Sequence, residues 1–247
     1  MSLLDGHLIV IGGNNAVAME SSCHAFNVMA CGWAPVRNTG EPLLPRSGHT
    51  VTVVGGRLYL IGGKQIFPTM HTHTDLLIGT FDADQSTIDW VRAPVAGLDQ
   101  RAYHSAVAYK DSIYVFGGIV NNVYCRDLSV YHTIREMWVT ISTANVPNYA
   151  PPPPRSGHIA VVYGREMVVL GSYSEEGPAM SLIALDMDSF VWRVVETTGS
   201  PPLRRAAPTG VVIPADSFRG KPPRLLAVGG FDIAARRCFS ELHVITL

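Results

Sequence analysis

Four arginines recur at one phase of this chain: Arg46, Arg101, Arg155 and Arg204. A guanidinium presents its N–H donors in a planar fork, so arginines at equivalent positions could grip a carboxylate or an acidic peptide. The same residues could instead pair with loop carbonyls or neighbouring acids and hold successive elements in register. Asn14, Asn15, Gln65, Asn121, Tyr124, Tyr173 and Glu175 are polar and aromatic residues placed to make contacts beside them, together with His71 and His73. Two imidazoles at i and i+2 can share an ion, but no further ligand stands at a supporting spacing, so the expectation is a solvated loop without a metal. Glu175 and Glu176 form no acid–base pair with another group, and no catalytic residue or cofactor set is assigned.

The elements that must carry these residues are repeats. Arg46-Ser47-Gly48-His49 leads after 16 residues to Gly62, Arg101-Ala102-Tyr103-His104 after 16 to Gly117, and Arg155-Ser156-Gly157-His158 after 16 to Gly171. A tryptophan follows at 21 residues in three cases, Gly12 to Trp33, Gly117 to Trp138 and Gly171 to Trp192, and at 28 residues from Gly62 to Trp90. Glycine pairs stand at Gly12-Gly13, Gly62-Gly63, Gly117-Gly118 and Gly229-Gly230, with Gly171-Ser172 in the same phase. A period near 50 residues with a double glycine marks one blade of a β-propeller per repeat.

On these residues the chain resembles the kelch family over nearly its whole length. The resemblance implies an all-β, kelch-type propeller of about five blades in one domain, at about 7–41, 46–95, 101–143, 155–197 and 204–247. Each blade reads as four antiparallel strands, A to D from the inside outwards. The glycine pair is expected to end strand B where a side chain would meet the next blade, and the tryptophans to fill the wedges between blades. The first and last blades read as incomplete, with no A strand before His7 and no D strand after Leu247. That reading leaves either an imperfect five-blade seam or part of a larger ring, and terminal blades open to self-association.

Composition narrows the function. With 19 basic and 20 acidic residues and 16% charged positions, nothing marks a nucleic-acid surface, and no apolar run is long enough to insert in a membrane as a helix. Cys23, Cys31, Cys125 and Cys238 match neither a disulfide framework nor zinc spacing, which suits a cytoplasmic setting. The B–C and D–A connections share one end of each blade. They vary most, with an extended Lys64 to Asp75 segment and the stiff Pro151-Pro152-Pro153-Pro154 run, so the partner surface is expected there. The A–B connection of the last blade, Pro214 to Pro223, is also long and projects from the opposite end. The function read from the sequence is a non-catalytic protein-interaction module for a peptide or protein partner. The alternative is a propeller enzyme acting on a carbohydrate or small molecule at the channel mouth, although the copper set of galactose oxidase, which the chain resembles in blade grammar, has no counterpart here.

Overall fold

The computed structural model describes residues 1–14, 17–66, 69–94, 97–141, 152–175, 177–199, 207–215, 220–232 and 235–247. Every regular element in them is a β-strand. Two compact units make up the chain, one of Met1–Val115, Ile119–Val123 and Ser129–Thr140, the other of Phe116–Gly118, Tyr124–Leu128 and Ile141–Leu247.

In the first unit, Ser2–Leu4, His7–Asn14, Met19–Asn27 and Gly32–Gly40 form the first blade in chain order. Thr50–Val54, Arg57–Ile61, Leu76–Asp82 and Thr87–Arg92 form the second. Ser105–Tyr109, Ser112–Phe116, Leu128–His132 and Met137–Ile141 make the third sheet. Gly55 and Gly56 turn with φ of 55° and 73°, and Asp5 and Gly6 with 46° and 72°, the positive pair that tight hairpins require.

Strand Arg57–Ile61 explains why the apolar runs need not alternate with polar residues. Leu58 and Leu60 face Ile9, Ile11, Ala25 and Val36 of the first blade. Tyr59 and Ile61 face Ile113, Val115 and Tyr131 of the third. A strand covered on both faces is apolar at successive positions.

Two expectations are corrected here. Ser2–Leu4 pairs antiparallel with the start of the His7 strand, Leu4 opposite His7 and Ser2 opposite Ile9, so the first blade has an A strand, shortened to three residues. The tryptophans are not uniformly core. Trp90 and Trp192 are fully buried, but Trp33 is 60% exposed and packs one face on Phe26. Trp138 is half-buried beside Tyr131. The first two blades are also joined by their outer strands, with Arg37–Gly40 running parallel to Thr87–Trp90 in one eight-stranded sheet. Asn38 accepts a hydrogen bond from Trp90 Nε1 at 2.9 Å across that seam.

The second unit holds a four-stranded blade of Ile159–Tyr163, Glu166–Ser174, Gly177–Asp186 and Val191–Val194. A sheet of Thr209–Ile213, Arg224–Val228 and Leu242–Thr246 follows, with three strands among the described residues. Val168, Leu170, Leu182 and Ala184 pack against Leu225 and Ala227.

Candidate functional site

The repeated Arg-x-x-His segment and the glycine pair of the preceding repeat form one clasp. Gly13 N donates to the Arg46 carbonyl, Gly63 N to that of Arg101 and Gly118 N to that of Arg155, each at 2.8 Å. A Cβ on the first glycine of each pair would stand 2.9, 2.5 or 2.7 Å from the same carbonyl oxygen, at Gly12, Gly62 and Gly117. It would also press on the ring of His49, His104 or His158. These histidines are thus packing residues of the clasp. Burial, then the Arg155 guanidinium, push His158 down to about 3.

The arginine side chains belong to the same scaffold. Arg46, Arg101 and Arg155 are at most 1% exposed, which removes them from the partner-facing set. Arg46 donates through Nη1 and Nη2 to the two oxygens of Asp75 at 2.6 and 3.0 Å, through Nη1 to the Gly62 carbonyl at 3.1 Å and through Nε to that of Leu44 at 3.1 Å. Burial alone would raise the Asp75 carboxyl, but the Arg46 fork overrides it and holds the carboxyl below its usual range. Arg155 repeats the pattern, with Nε on the Pro153 carbonyl at 3.3 Å and Nη1 on Ser181 Oγ at 3.4 Å. Ser181 and Asp75 each stand directly before the leucine that opens the buried part of strand C. His73 is buried too, its Nε2 3.3 Å from the Pro45 carbonyl and its ring edge-on to exposed His71 at 5.0 Å. Burial and the nearby Arg46 charge lower its pKa, so it is part of the arginine cluster and not a solvated contact.

With the arginines inside, the accessible surface at this end is built by short hairpins. Lys64–Gln65 pairs with His71–Thr72, and Ile119–Val120 with Val123–Tyr124 around Asn121 and Asn122, at φ of 48° and 65°. Paired backbone bonds tie each hairpin base to the loop that enters its blade: Ser47 with Lys64, Ala102 with Ile119, and Ser156 with Tyr173. The B–C and D–A segments are thereby held together.

In the first unit these segments border an open cavity of about 240 Å³ lined by Lys64, His71, Gln100, Tyr103 and Asn121 among others. Gln100 Nε2 donates to Asn121 Oδ1 at 3.2 Å, and Lys64 Nζ lies 4.8 Å from the Tyr103 ring centroid. Tyr103 has φ of 58°, where Gly48 and Gly157 stand in the neighbouring repeats with φ of 67° and 59°. A side chain held in the left-handed region costs on the order of 1 to 2 kcal/mol, and such strain collects at ligand sites. The structure thus brings His71 and Asn121 together with Lys64, Gln100 and Tyr103, which the contact list read from the sequence lacks. The readable signal was a tyrosine in a glycine phase.

Asn14 is exposed beside Ser47, and Gln65 is half-buried opposite His71. In the second unit Tyr124 and Tyr173 come within 6.5 Å of each other, near exposed Glu175. Asn15, Arg204 and the middle of the Pro214 to Pro223 connection lie outside the described residues. Among the described residues, no three His, Cys, Asp or Glu side chains converge on a metal position, and no helix is long and apolar enough to cross a membrane.

Repeated sheets of antiparallel strands, clasped from one repeat to the next through a glycine pair, define the class as propeller blades. The KLHDC2/KLHL20/DRC7 Kelch-repeats domain matches residues 80–247 and the Kelch motif matches residues 45–64, and the chain belongs to the kelch-repeat family. It is 26% identical over 231 residues to acyl-CoA-binding domain-containing protein 5 of Arabidopsis thaliana, covering 92% of this chain and 34% of that relative. It is 27% identical over 219 residues to Kelch domain-containing protein 3 of Bos taurus, covering 82% and 54%. A similarity of 25% over 226 residues to the dynein alpha chain, flagellar outer arm, of Chlamydomonas reinhardtii covers 89% of this chain and 5% of that protein. The chain thus spans about a third of the first relative and about half of the second.

Proposed function

We propose that this chain is a protein-interaction module that binds a peptide or protein partner on the B–C/D–A end, with Lys64, Gln100, Tyr103 and Asn121 as its contact residues in the first unit. The cavity they line carries the reading, because three segments of two successive repeats converge on it and one of its walls is a strained tyrosine. Its lining combines an ammonium, neutral amides and an aromatic ring, which suits a peptide with an acidic or amide-bearing side chain. Kelch-repeat domains generally act as protein-interaction modules, which supports the same reading. A cytoplasmic setting is supported by four cysteines of which none forms a disulfide.

The test is capture of partners from the native cell extract by the full chain, followed by Lys64→Glu and Tyr103→Ala. Both variants should lose the captured partner while the β-sheet circular dichroism stays that of the parent. Capture that survives both substitutions and disappears when the Pro214 to Pro223 segment is replaced would place the surface at the other end.

A second reading has its own observation. Leu242 and Val244 on the outer strand of the last sheet are 56% and 53% exposed, which supports self-association through that strand. Sedimentation that shows only monomer at high concentration would exclude it.

A further inference from the structure

The second unit carries an aromatic and acidic cluster that the buried clasp does not use. Tyr173 lies near the end of strand Glu166–Ser174, where its amide donates to the Ser156 carbonyl at 2.7 Å and its carbonyl accepts from Ser156 N at 2.9 Å. Tyr124 precedes Cys125, whose amide donates to the Gly118 carbonyl at 2.9 Å and whose carbonyl accepts from Arg155 N at 2.9 Å. Both tyrosines therefore stand on backbone fixed by paired hydrogen bonds, and neither ring is fully covered. Their centroids are 6.5 Å apart and their planes 32° from parallel. That is the outer part of the range for two rings in an ordinary aromatic pair, so the two together offer one aromatic patch.

A carboxylate stands beside the rings. Glu175 is exposed on the turn that follows the Tyr173 strand, and burial, then Tyr173, then Glu175 raise the pKa of the Tyr124 hydroxyl. A ring face attracts a cation through its quadrupole, and a carboxylate beside it adds a charge-assisted acceptor. Arginine suits such a place better than lysine, since its planar, weakly hydrated guanidinium stacks on rings while its edge donates to a carboxylate.

We infer that Tyr124, Tyr173 and Glu175 form a subsite for an arginine side chain of the bound partner. The inference rests on the proposed peptide-binding reading and names a contact for it in the second unit.

The experiment titrates the full chain with N-acetylarginine methylamide, its lysine counterpart and its neutral citrulline counterpart, following the tyrosine ring signals by NMR. The arginine compound should shift two tyrosines saturably, the lysine compound should bind several-fold more weakly, and citrulline should fail to saturate. Glu175→Gln and Tyr124→Ala should each weaken arginine binding about fivefold to tenfold, the range for a cation against a ring or carboxylate at a partly exposed site. Tyr124→Phe and Tyr173→Phe keep the rings and should retain most of the binding, which covers the case in which an alanine variant does not fold. Equal binding of citrulline and arginine, or a Glu175→Gln variant that binds arginine as the parent does, overturns the inference. Partner capture lost in Lys64→Glu with saturable arginine binding unchanged supports the subsite independently of the cavity. Arginine binding absent while capture persists refutes this subsite alone.

Discussion

Gly118 N donates to the main-chain carbonyl of Arg155 at 2.8 Å, and the preceding Gly117 has no room for a side chain because a Cβ would stand 2.7 Å from that same oxygen. The diglycine and the arginine of the repeat are therefore two halves of one joint. One glycine clears the approach and the other makes the bond, and the arginine's contribution to the joint is its backbone. Its side chain turns inward to close the same blade.

The joint separates two kinds of glycine. Gly62 and Gly55 both have left-handed backbones, with φ of 58° and 55°, but a Cβ at Gly62 would meet the Arg101 carbonyl at 2.5 Å, while at Gly55 nothing lies within 4 Å. Gly55→Ala should cost about 1 kcal/mol, the backbone penalty alone. Gly62→Ala should cost at least roughly twice that, because the clash falls on backbone and breaks the neighbouring bond. Urea unfolding of the two variants compares them directly, and equal midpoints would remove the clasp from the account.

The Arg46–Asp75 pair makes a sharper demand. Both side chains are buried, at 0% and 6% exposure, and the contact is two-pronged. Removing one partner of such a pair leaves a buried charge, and Asp75→Ala should destabilise the chain by about 3 to 5 kcal/mol. Arg46→Lys should recover only part of the loss in Arg46→Ala, since an ammonium cannot span both oxygens and the Gly62 and Leu44 carbonyls together. A lysine variant as stable as the parent, measured by thermal unfolding, would show that charge alone matters there.

Much of this was legible in the chain and some was not, for reasons that particular residues make plain. Strand B of the second repeat was bounded from sequence at Arg57 to Ile61, as found, because two glycines stop it on each side. The arginines were found by phase, yet phase does not say which way a side chain turns. Arg46 finds its partner Asp75 29 residues on, whereas Arg155 finds Ser181 26 residues on, because the hairpin of the second repeat is longer, so no fixed spacing announces the partner. The strand Ser2–Leu4 was missed because three residues carry no periodicity. The cavity beside Lys64 was missed because it needs two successive repeats to exist. Of the residues that line it, His71 and Asn121 were named from the sequence, while Tyr103, out of place in its motif, left a trace that went unread.

The four tryptophans give a graded test of phase against packing. Trp90→Ala and Trp192→Ala remove side chains 1% exposed and should each cost about 3 to 5 kcal/mol. Trp33, 60% exposed and resting on Phe26 at a centroid distance of 5.1 Å, should cost about 1 kcal/mol or less on the same change. Trp138 should fall between them. Equal losses at Trp33 and Trp90 in chemical unfolding would mean that position in the repeat, and not burial, sets the contribution.

Acid should loosen the clasp through His158. In the folded chain burial holds this imidazole neutral down to about pH 3, whereas in the unfolded chain it takes up a proton near its ordinary value of about 6.5. Between those two values the unfolded state binds more protons, so stability rises with pH and is lost as pH falls from about 6.5 toward 3. Each pH unit in that window removes up to about 1.4 kcal/mol, and lowering the pH from 6.5 to 4.5 should remove roughly 2 to 3 kcal/mol through this one residue. A His158→Gln variant starts less stable, because the ring packs edge-on to Phe116 at 5.3 Å and fills the space over Gly117. Its unfolding free energy should nevertheless fall less steeply between pH 6.5 and 4.5. Parallel pH profiles for parent and variant would show that His158 is not the group whose protonation opens the joint.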